Sequence, residues 1–296
     1  LKSLGLATEV GPRQWMIDDK AEATLRELGE RGDIIKRMHR ALTEGGIERG
    51  SAGYVLAAES LDTPIVGRFV ARGLDDELHG TAYAVVDGVD GRTHHIKLAD
   101  LDAAGDSTLG SIVELRKFDD ARGQRRVALA VRSDLDLGAQ VTASGATWLD
   151  RQAIAREPAA LSDSGFGAEV RQALDERAEH LIGEGYAERQ GGRVVFARRL
   201  LSTLRRRELD SLGEKLAAET GMSFERAASG EYVAGSYRQR FALASGRFAM
   251  IDDGLGFQLV PWSPSLEKQL GKHVSGVARS DGGVDWSFGR KRGLGL

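Results

Sequence analysis

The sequence predicts an α+β chain: two small SH3- or OB-like β-barrels flanking a helical middle with the outline of a winged helix. The hydrophobic period changes from helical to strand-like at Pro64. Glycine outnumbers proline 38 to 5, which supplies tight turns for many short strands rather than a helical bundle. A strand–turn–strand block also recurs: Tyr83-Ala-Val-Val-Asp87 matches Phe248-Ala-Met-Ile-Asp252 in chemical type. Each copy runs on through a glycine turn, a strand and an insert to a glycine before a valine strand (Gly110-Ser-Ile-Val113; Gly271-Lys-His-Val274). A duplicated barrel is one reading of this block, and chance similarity is the other.

Lys20 to Leu28 reads as a short helix stopped by Gly29. Asp33 offers the N-cap of a second helix, with Ile34, Met38, Ala41 and Leu42 on one face, and Gly45-Gly46 ends it. Residues 1–58 thus form a helical lead-in. The first barrel, 59–132, takes strands from Ile65–Ala71, Ala82–Asp87, Thr93–Leu98, Ile112–Phe118 and Val127–Val131, with a hairpin at Asp87-Gly-Val-Asp-Gly91. Residues 133–164 read as a linker with one short helix near Trp148-Leu-Asp-Arg151, broken by Pro158. In 165–228 a stripe of Phe166, Val170, Leu174, Ala178, Leu181 and Ile182 marks a helix that Gly183-Glu-Gly185 stops. A ribbon follows, Tyr186–Gln190 and Arg193–Phe196 about Gly191-Gly192, then a helix with Leu201, Leu204, Leu212 and Leu216 inward. Helix, glycine stop and basic hairpin outline a winged helix, with only one strong helix before the ribbon. The second barrel, 229–289, takes Arg238–Leu243, Arg247–Ile251, Phe257–Val260, Val274–Ala278 and Val284–Phe288, and 290–296 is a basic tail.

With 41 basic against 44 acidic residues the net charge is −3, so any basic surface has to be local. The absence of cysteine rules out disulfides and thiolate metal sites and fits a reducing cytoplasm. No apolar run approaches the ~18 residues of a membrane helix, and no secretory leader is visible. The chain opens at Leu1, in mid-pattern, and is read as a piece of a longer protein.

Catalytic motifs are lacking: the sequence has no phosphate loop, no H-E-x-x-H and no nucleophile elbow. The six histidines are His39, His79, His94, His95, His180 and His273, and the nearest to a cluster is His79 with His94-His95. Strand alternation sends His94 and His95 to opposite faces, so they cannot chelate one ion together. Asp75-Asp76-Glu77 and Asp252-Asp253 are acidic turns, solvated by default. Of the tyrosines, Tyr83 and Tyr186 lie in strand patterns, Tyr232 and Tyr237 in a loop-rich stretch, and none has an activating base beside it in sequence. Neither a catalytic residue nor a metal ligand is therefore assigned.

Arginines do gather locally. Arg189 and Arg193 flank the hairpin turn, Arg198 and Arg199 follow, and Arg205-Arg-Arg207 lies on the next helix; a solvated, salt-bridged helix is the plain alternative. On a wing, Arg189 and Arg193 would meet phosphates and position the domain rather than read bases. The C-terminal barrel combines Arg238, Arg240, Arg247, Arg279, Arg290, Lys291 and Arg292 with Phe248, Phe257, Trp262 and Trp286. Small barrels hold single strands by stacking bases on aromatics along a basic groove. Phe248 and Phe257 alternate inward as core, whereas Trp262 and Trp286 lie near strand ends. The nucleic-acid-binding candidates are accordingly Arg189, Arg193, Arg198, Arg199, Arg238, Arg240, Trp262, Trp286, Arg290, Lys291 and Arg292.

Ser245-Gly-Arg-Phe-Ala-Met-Ile-Asp252, Phe257-Gln-Leu-Val-Pro-Trp262 and Trp286-Ser-Phe-Gly-Arg-Lys-Arg-Gly-Leu-Gly295 together resemble the C-terminal domain that follows the nicking domain in relaxase/mobilisation nucleases of conjugative elements. Leu28-Gly-Glu-Arg-Gly-Asp-Ile-Ile-Lys-Arg-Met-His39-Arg-Ala resembles the segment just after their nuclease. The resemblance implies a non-catalytic region of a bacterial, cytoplasmic protein that holds DNA, expected to be single-stranded. A second role it implies is docking the nicked complex on a type IV secretion coupling protein. The nicking tyrosine, the histidines and their divalent metal then belong upstream of Leu1, and this chain itself needs no cofactor. The tail Arg290-Lys-Arg292 is compatible with a secretion signal. A protein-interaction module that binds no nucleic acid is the alternative, and neither reading involves membrane insertion.

Overall fold

Two six-stranded sheets, each backed by one long helix, organise the chain. The computed structural model describes residues 1–2, 6–11, 14–56, 63–119, 122–123, 125–279 and 283–288. Two units divide the contacts: Leu1–Leu109 with Glu114–Ala130 and Leu161–Ala168, and Gly110–Val113 with Val131–Ala160 and Glu169–Leu296.

In the first unit an antiparallel ribbon, β1 (Ala7–Gly11) and β2 (Gln14–Ile17), precedes α1 (Ala21–Glu44). This helix runs unbroken through Gly29, where a stop was expected. A glycine costs a helix interior about 1 kcal/mol relative to alanine. Burial of Ile34, Met38 and Leu42 against Val70 and Val85 outweighs that cost, and Arg31 pairs with Glu27 at 3.8 Å across the glycine. Behind the helix lies a sheet of β3 (Tyr54–Leu56), β4 (Ile65–Asp76), β5 (Thr81–Gly88), β6 (Thr93–Leu98), β7 (Ile112–Asp119) and β8 (Arg125–Ser133), in the order β3-β6-β5-β4-β7-β8.

The second unit contributes three further helices: α2 (Leu137–Thr142), α3 (Trp148–Ile154) and most of α4 (Gly165–Gly183). The expected linker thus carries two short helices rather than one, α3 lying where the helix near Trp148 was expected, and with α4 three helices precede the ribbon of β9 (Ala187–Gln190) and β10 (Arg193–Phe196). The turn between them has φ of 53° at Gly191 and 81° at Gly192, the doubly left-handed turn that suits a two-residue hairpin. After α5 (Leu200–Thr220) come β11 (Ser223–Glu225), β12 (Tyr232–Leu243), β13 (Gly246–Asp252), β14 (Gly256–Pro261), β15 (His273–Ala278) and β16 (Val284–Ser287), ordered β11-β14-β13-β12-β15-β16. Leu216 packs on Met250, Phe257 and Leu259. The opposite face buries Val233, Tyr237, Ala249, Ile251 and Val260. Tyr237, read from sequence as a loop residue, is a core residue of β12, 2% exposed.

The two sheets share one topology. A helix leads to a three-residue strand lying parallel to the third strand of the following meander, in β3 on β6 and in β11 on β14. Every later strand then takes the same place in the order. Detail repeats as well. Asp87 and Asp252 are both buried at the ends of β5 and β13, each bonded to an arginine: Arg68 at 2.9 Å and Arg238 at 2.8 Å. A Cβ on Gly67 or Gly235 would lie 2.3 or 2.4 Å from the carbonyl oxygen of that aspartate. Each long strand slips register just beyond, between Phe69 and Ala71 and between Tyr237 and Gln239. The edge strands of neither sheet pair with each other, so among the described residues the sheets stay open and no barrel closes.

Candidate nucleic-acid interface

The β9–β10 hairpin sits on a small core in which Leu181, Leu200 and Leu204 meet Tyr186, Ala187 and Phe196. Register pairs Arg189 with Val194 and Gln190 with Arg193, so the two arginines of the turn occupy opposite faces. Arg189 shares the face of Ala187 and Phe196 and reaches back to an ion pair with Glu179 of α4. Arg193 stands on the outer face with Glu188, Gln190 and the exposed Val195. The single patch expected from flanking the turn is therefore split.

Arg198, Arg199 and, in the second turn of α5, Arg206 are exposed. Arg199 has φ 65°, the one positive φ outside glycine among the described residues. A side chain in this left-handed region costs ~1–2 kcal/mol. It occupies the N-cap position of α5 without capping it. Arg207, by contrast, is paired with Glu184 at 2.8 Å.

On the second sheet Arg238 is engaged with Asp252 and Arg240 with Glu267 at 3.4 Å. Arg240 also lies over the Trp262 ring, 4.9 Å from its centre, and Arg247 lies 5.7 Å from the same ring. Trp262 and Trp286 are half-buried against the sheet core, and Trp286 stacks on Phe288 at 6.4 Å. Thus Arg240 and Trp262 come together, while Arg238 serves a buried aspartate. Arg290, Lys291 and Arg292 lie outside the described residues.

Sequence reading missed the buried framework beneath this region. Thr147 and Asp150 form a capping box at the start of α3. The Asp150 carboxylate receives Nε and Nη2 of Arg177, both at 2.9 Å. Arg177 also donates to the carbonyl oxygens of Val141, Ala143 and Gly145. Arg151 donates to the Ser245 carbonyl at 2.8 Å, and Arg247 forks onto Asp134 at 2.7 and 2.5 Å. Arg205, Arg247 and Arg279 then line an open pocket of about 300 Å³ with Ser245, Phe248, Pro261 and Gly283. The arginine spacings of 42 and 32 residues leave no local signal of this convergence.

Several histidines and one tyrosine have described neighbours. His79 bonds Asp76 at 2.7 Å and His94 bonds Asp90 at 3.0 Å. His95 is buried and stacked on Tyr83 with ring centres 5.3 Å apart. The Tyr54 hydroxyl lies 3.4 Å from His39 Nδ1, but burial raises its pKa, the opposite of nucleophile activation. Among the described residues no three histidine or carboxylate side chains converge to hold a metal. Also among them, no helix is long and apolar enough to cross a membrane.

Fold and site together define an α+β protein of two like sheets carrying an arginine-rich helical insert. The chain matches the model of the protein family of unknown function DUF3363 over residues 1–122 and 115–295, and belongs to that family. No curated protein and no solved structure matches it.

Proposed function

We propose that this chain holds nucleic acid by its phosphate backbone and catalyses no reaction on it. Arg193, Arg198, Arg199 and Arg206 carry the reading: all four are exposed and have no carboxylate partner among the described residues. Arginine forks in such a run suit phosphate oxygens, and contacts of this kind position a protein without reading sequence. In the winged-helix reading, α2, α3 and α4 support the β9–β10 wing, and Arg193 on its outer face meets the backbone. Single-stranded DNA is the favoured ligand because Trp262, with Arg240 and Arg247 over its ring, resembles a stacking platform beside cations.

The sequence resemblance puts this activity in the non-catalytic region of a relaxase-type mobilisation protein in the bacterial cytoplasm. The divalent metal would then serve a nicking domain outside this chain. The triple variant Arg193→Ala/Arg198→Ala/Arg199→Gly tests the reading by fluorescence anisotropy with a labelled single-stranded oligonucleotide. Affinity at low salt should drop roughly tenfold or more, and the slope of log K against log salt should shrink by about 2, at ~0.7 per lost phosphate contact. Unchanged affinity would remove the hairpin and the segment leading into α5 from the interface.

A second reading, docking on a secretion coupling protein, has its own support in the first unit. Val10, Trp15, Met16 and Ile17 of the β1–β2 ribbon are 58%, 45%, 61% and 58% exposed, an unusual density of bare apolar side chains. If that ribbon docks the partner, Trp15→Ser/Met16→Ser abolishes binding to the purified coupling protein and leaves oligonucleotide affinity intact; unchanged binding to the coupling protein would refute it.

A further inference from the structure

We propose that the pocket between α5 and the second sheet is a binding site for a phosphate group, held by Arg205, Arg247 and Arg279. Three arginines from separate parts of the chain line it: Arg205 in the second turn of α5, Arg247 at the start of β13 and Arg279 just after β15. Arg205 is the cation that needs a ligand. Its Nε is buried with no hydrogen-bond partner, an arrangement that native proteins rarely tolerate in a charged donor. The neighbouring charge makes matters worse, because Arg151 lies close enough for Arg205 to lower its pKa further, second only to burial.

Two of the three pocket arginines already meet a carboxylate, whereas no carboxylate partner is found for Arg205 among the described residues. Asp134 is forked by Arg247, and Glu208 accepts the backbone N–H groups of Ala244 and Ser245 at 2.9 and 3.0 Å. Asp285 meets Arg279 at 3.2 Å in a solvent-exposed pair that a stronger anion can displace. The Asp134 fork holds Arg247 in place, 14% exposed, so one side of the pocket is preorganised.

Ligand class follows from number and shape. Arginines lining one pocket from several sides suit a tetrahedral anion, whose oxygens can accept from more than one donor at a time, better than a two-oxygen carboxylate. Phe248 and Pro261 supply an apolar wall, which favours a phosphate carrying an organic group. About 300 Å³ is the low end for small-molecule sites, enough for a phosphate with a sugar and too little for a large cofactor. Such a phosphate can come from a nucleic-acid backbone or from a free phosphate compound.

The test titrates the whole chain with inorganic phosphate at constant ionic strength, against chloride, following the thermal midpoint and the heat of binding. Phosphate should raise the midpoint saturably, and Arg205→Gln should weaken binding roughly tenfold or more, the loss of one charge-assisted contact. Arg205→Gln should leave the midpoint without phosphate unchanged or higher, since it removes an unsatisfied cation; Arg205→Lys keeps the charge without the fork and should fall between. No saturable effect beyond chloride, or an equal effect in Arg205→Gln, overturns the proposal. Competition by a single-stranded oligonucleotide would assign the site to a nucleic-acid phosphate; phosphate binding without competition would assign it to a free compound. The hairpin triple variant should bind phosphate normally, so failure of the nucleic-acid reading and failure of this pocket are read separately.

Discussion

Arg177 engages all five of its guanidinium N–H donors: two on Asp150 and three on backbone carbonyls. Removing one member of so enclosed a pair leaves the other charge buried, which typically costs about 3–5 kcal/mol. Asp150→Ala should therefore lower stability by that order in urea denaturation; a loss below ~1 kcal/mol would mean the pair is not structural. Neither partner announced itself in sequence, because they stand 27 residues apart and half of the network is backbone. His95 is the opposite case, a buried imidazole with both nitrogens unpartnered where the second sheet has Leu259. Burial holds its pKa at about 4, Arg37 and Lys97 push the same way, and Asp75 opposes them. Above the unfolded value near 6.5 both states are neutral and stability is complete. As pH falls from there to about 4, the unfolded chain takes up a proton that the native imidazole refuses, and stability is lost. His95→Leu should flatten this acid limb in denaturation measured between pH 7 and pH 4; an unchanged limb would mean that other groups carry it.

At the scale of elements, α1 shows packing overriding a local signal. Gly29 looked like a stop, yet a Cβ there would meet nothing within 4 Å and the helix continues. Gly29→Ala should raise stability by up to ~1 kcal/mol in thermal denaturation, and a destabilisation would contradict the continuous helix. Strands bounded by turn residues, such as Thr93–Leu98, and glycine turns, such as Gly191-Gly192, were legible because composition and turn chemistry are local. β3 and β11 were not, since three residues carry no period and their parallel partners lie far along the chain. Sheet closure was not legible for a related reason: alternation says which face is buried, not whether edge strands meet. At the hairpin, the basic composition was readable, but the division of Arg189 and Arg193 between two faces required the register.

At the scale of the molecule, one topology appears twice: a helix, a short parallel strand and a five-stranded remainder, with the same glycine, bulge and buried aspartate in each copy. The pentapeptide match between Tyr83–Asp87 and Phe248–Asp252 was the visible trace of it, falling on β5 and β13. The copies differ where function is proposed. The first has an ordinary apolar helix-on-sheet core around His95, whereas the second gathers Arg205, Arg247 and Arg279 at one pocket. A net charge of −3 leaves such local clusters as the means of attracting a polyanion. The most direct measurement is the affinity of the chain for a single-stranded oligonucleotide between roughly 50 and 200 mM salt. Tight binding at the low end and a steep linear fall of log K with log salt are expected of a phosphate-held chain; no binding at the low end, or affinity indifferent to salt, would contradict that role.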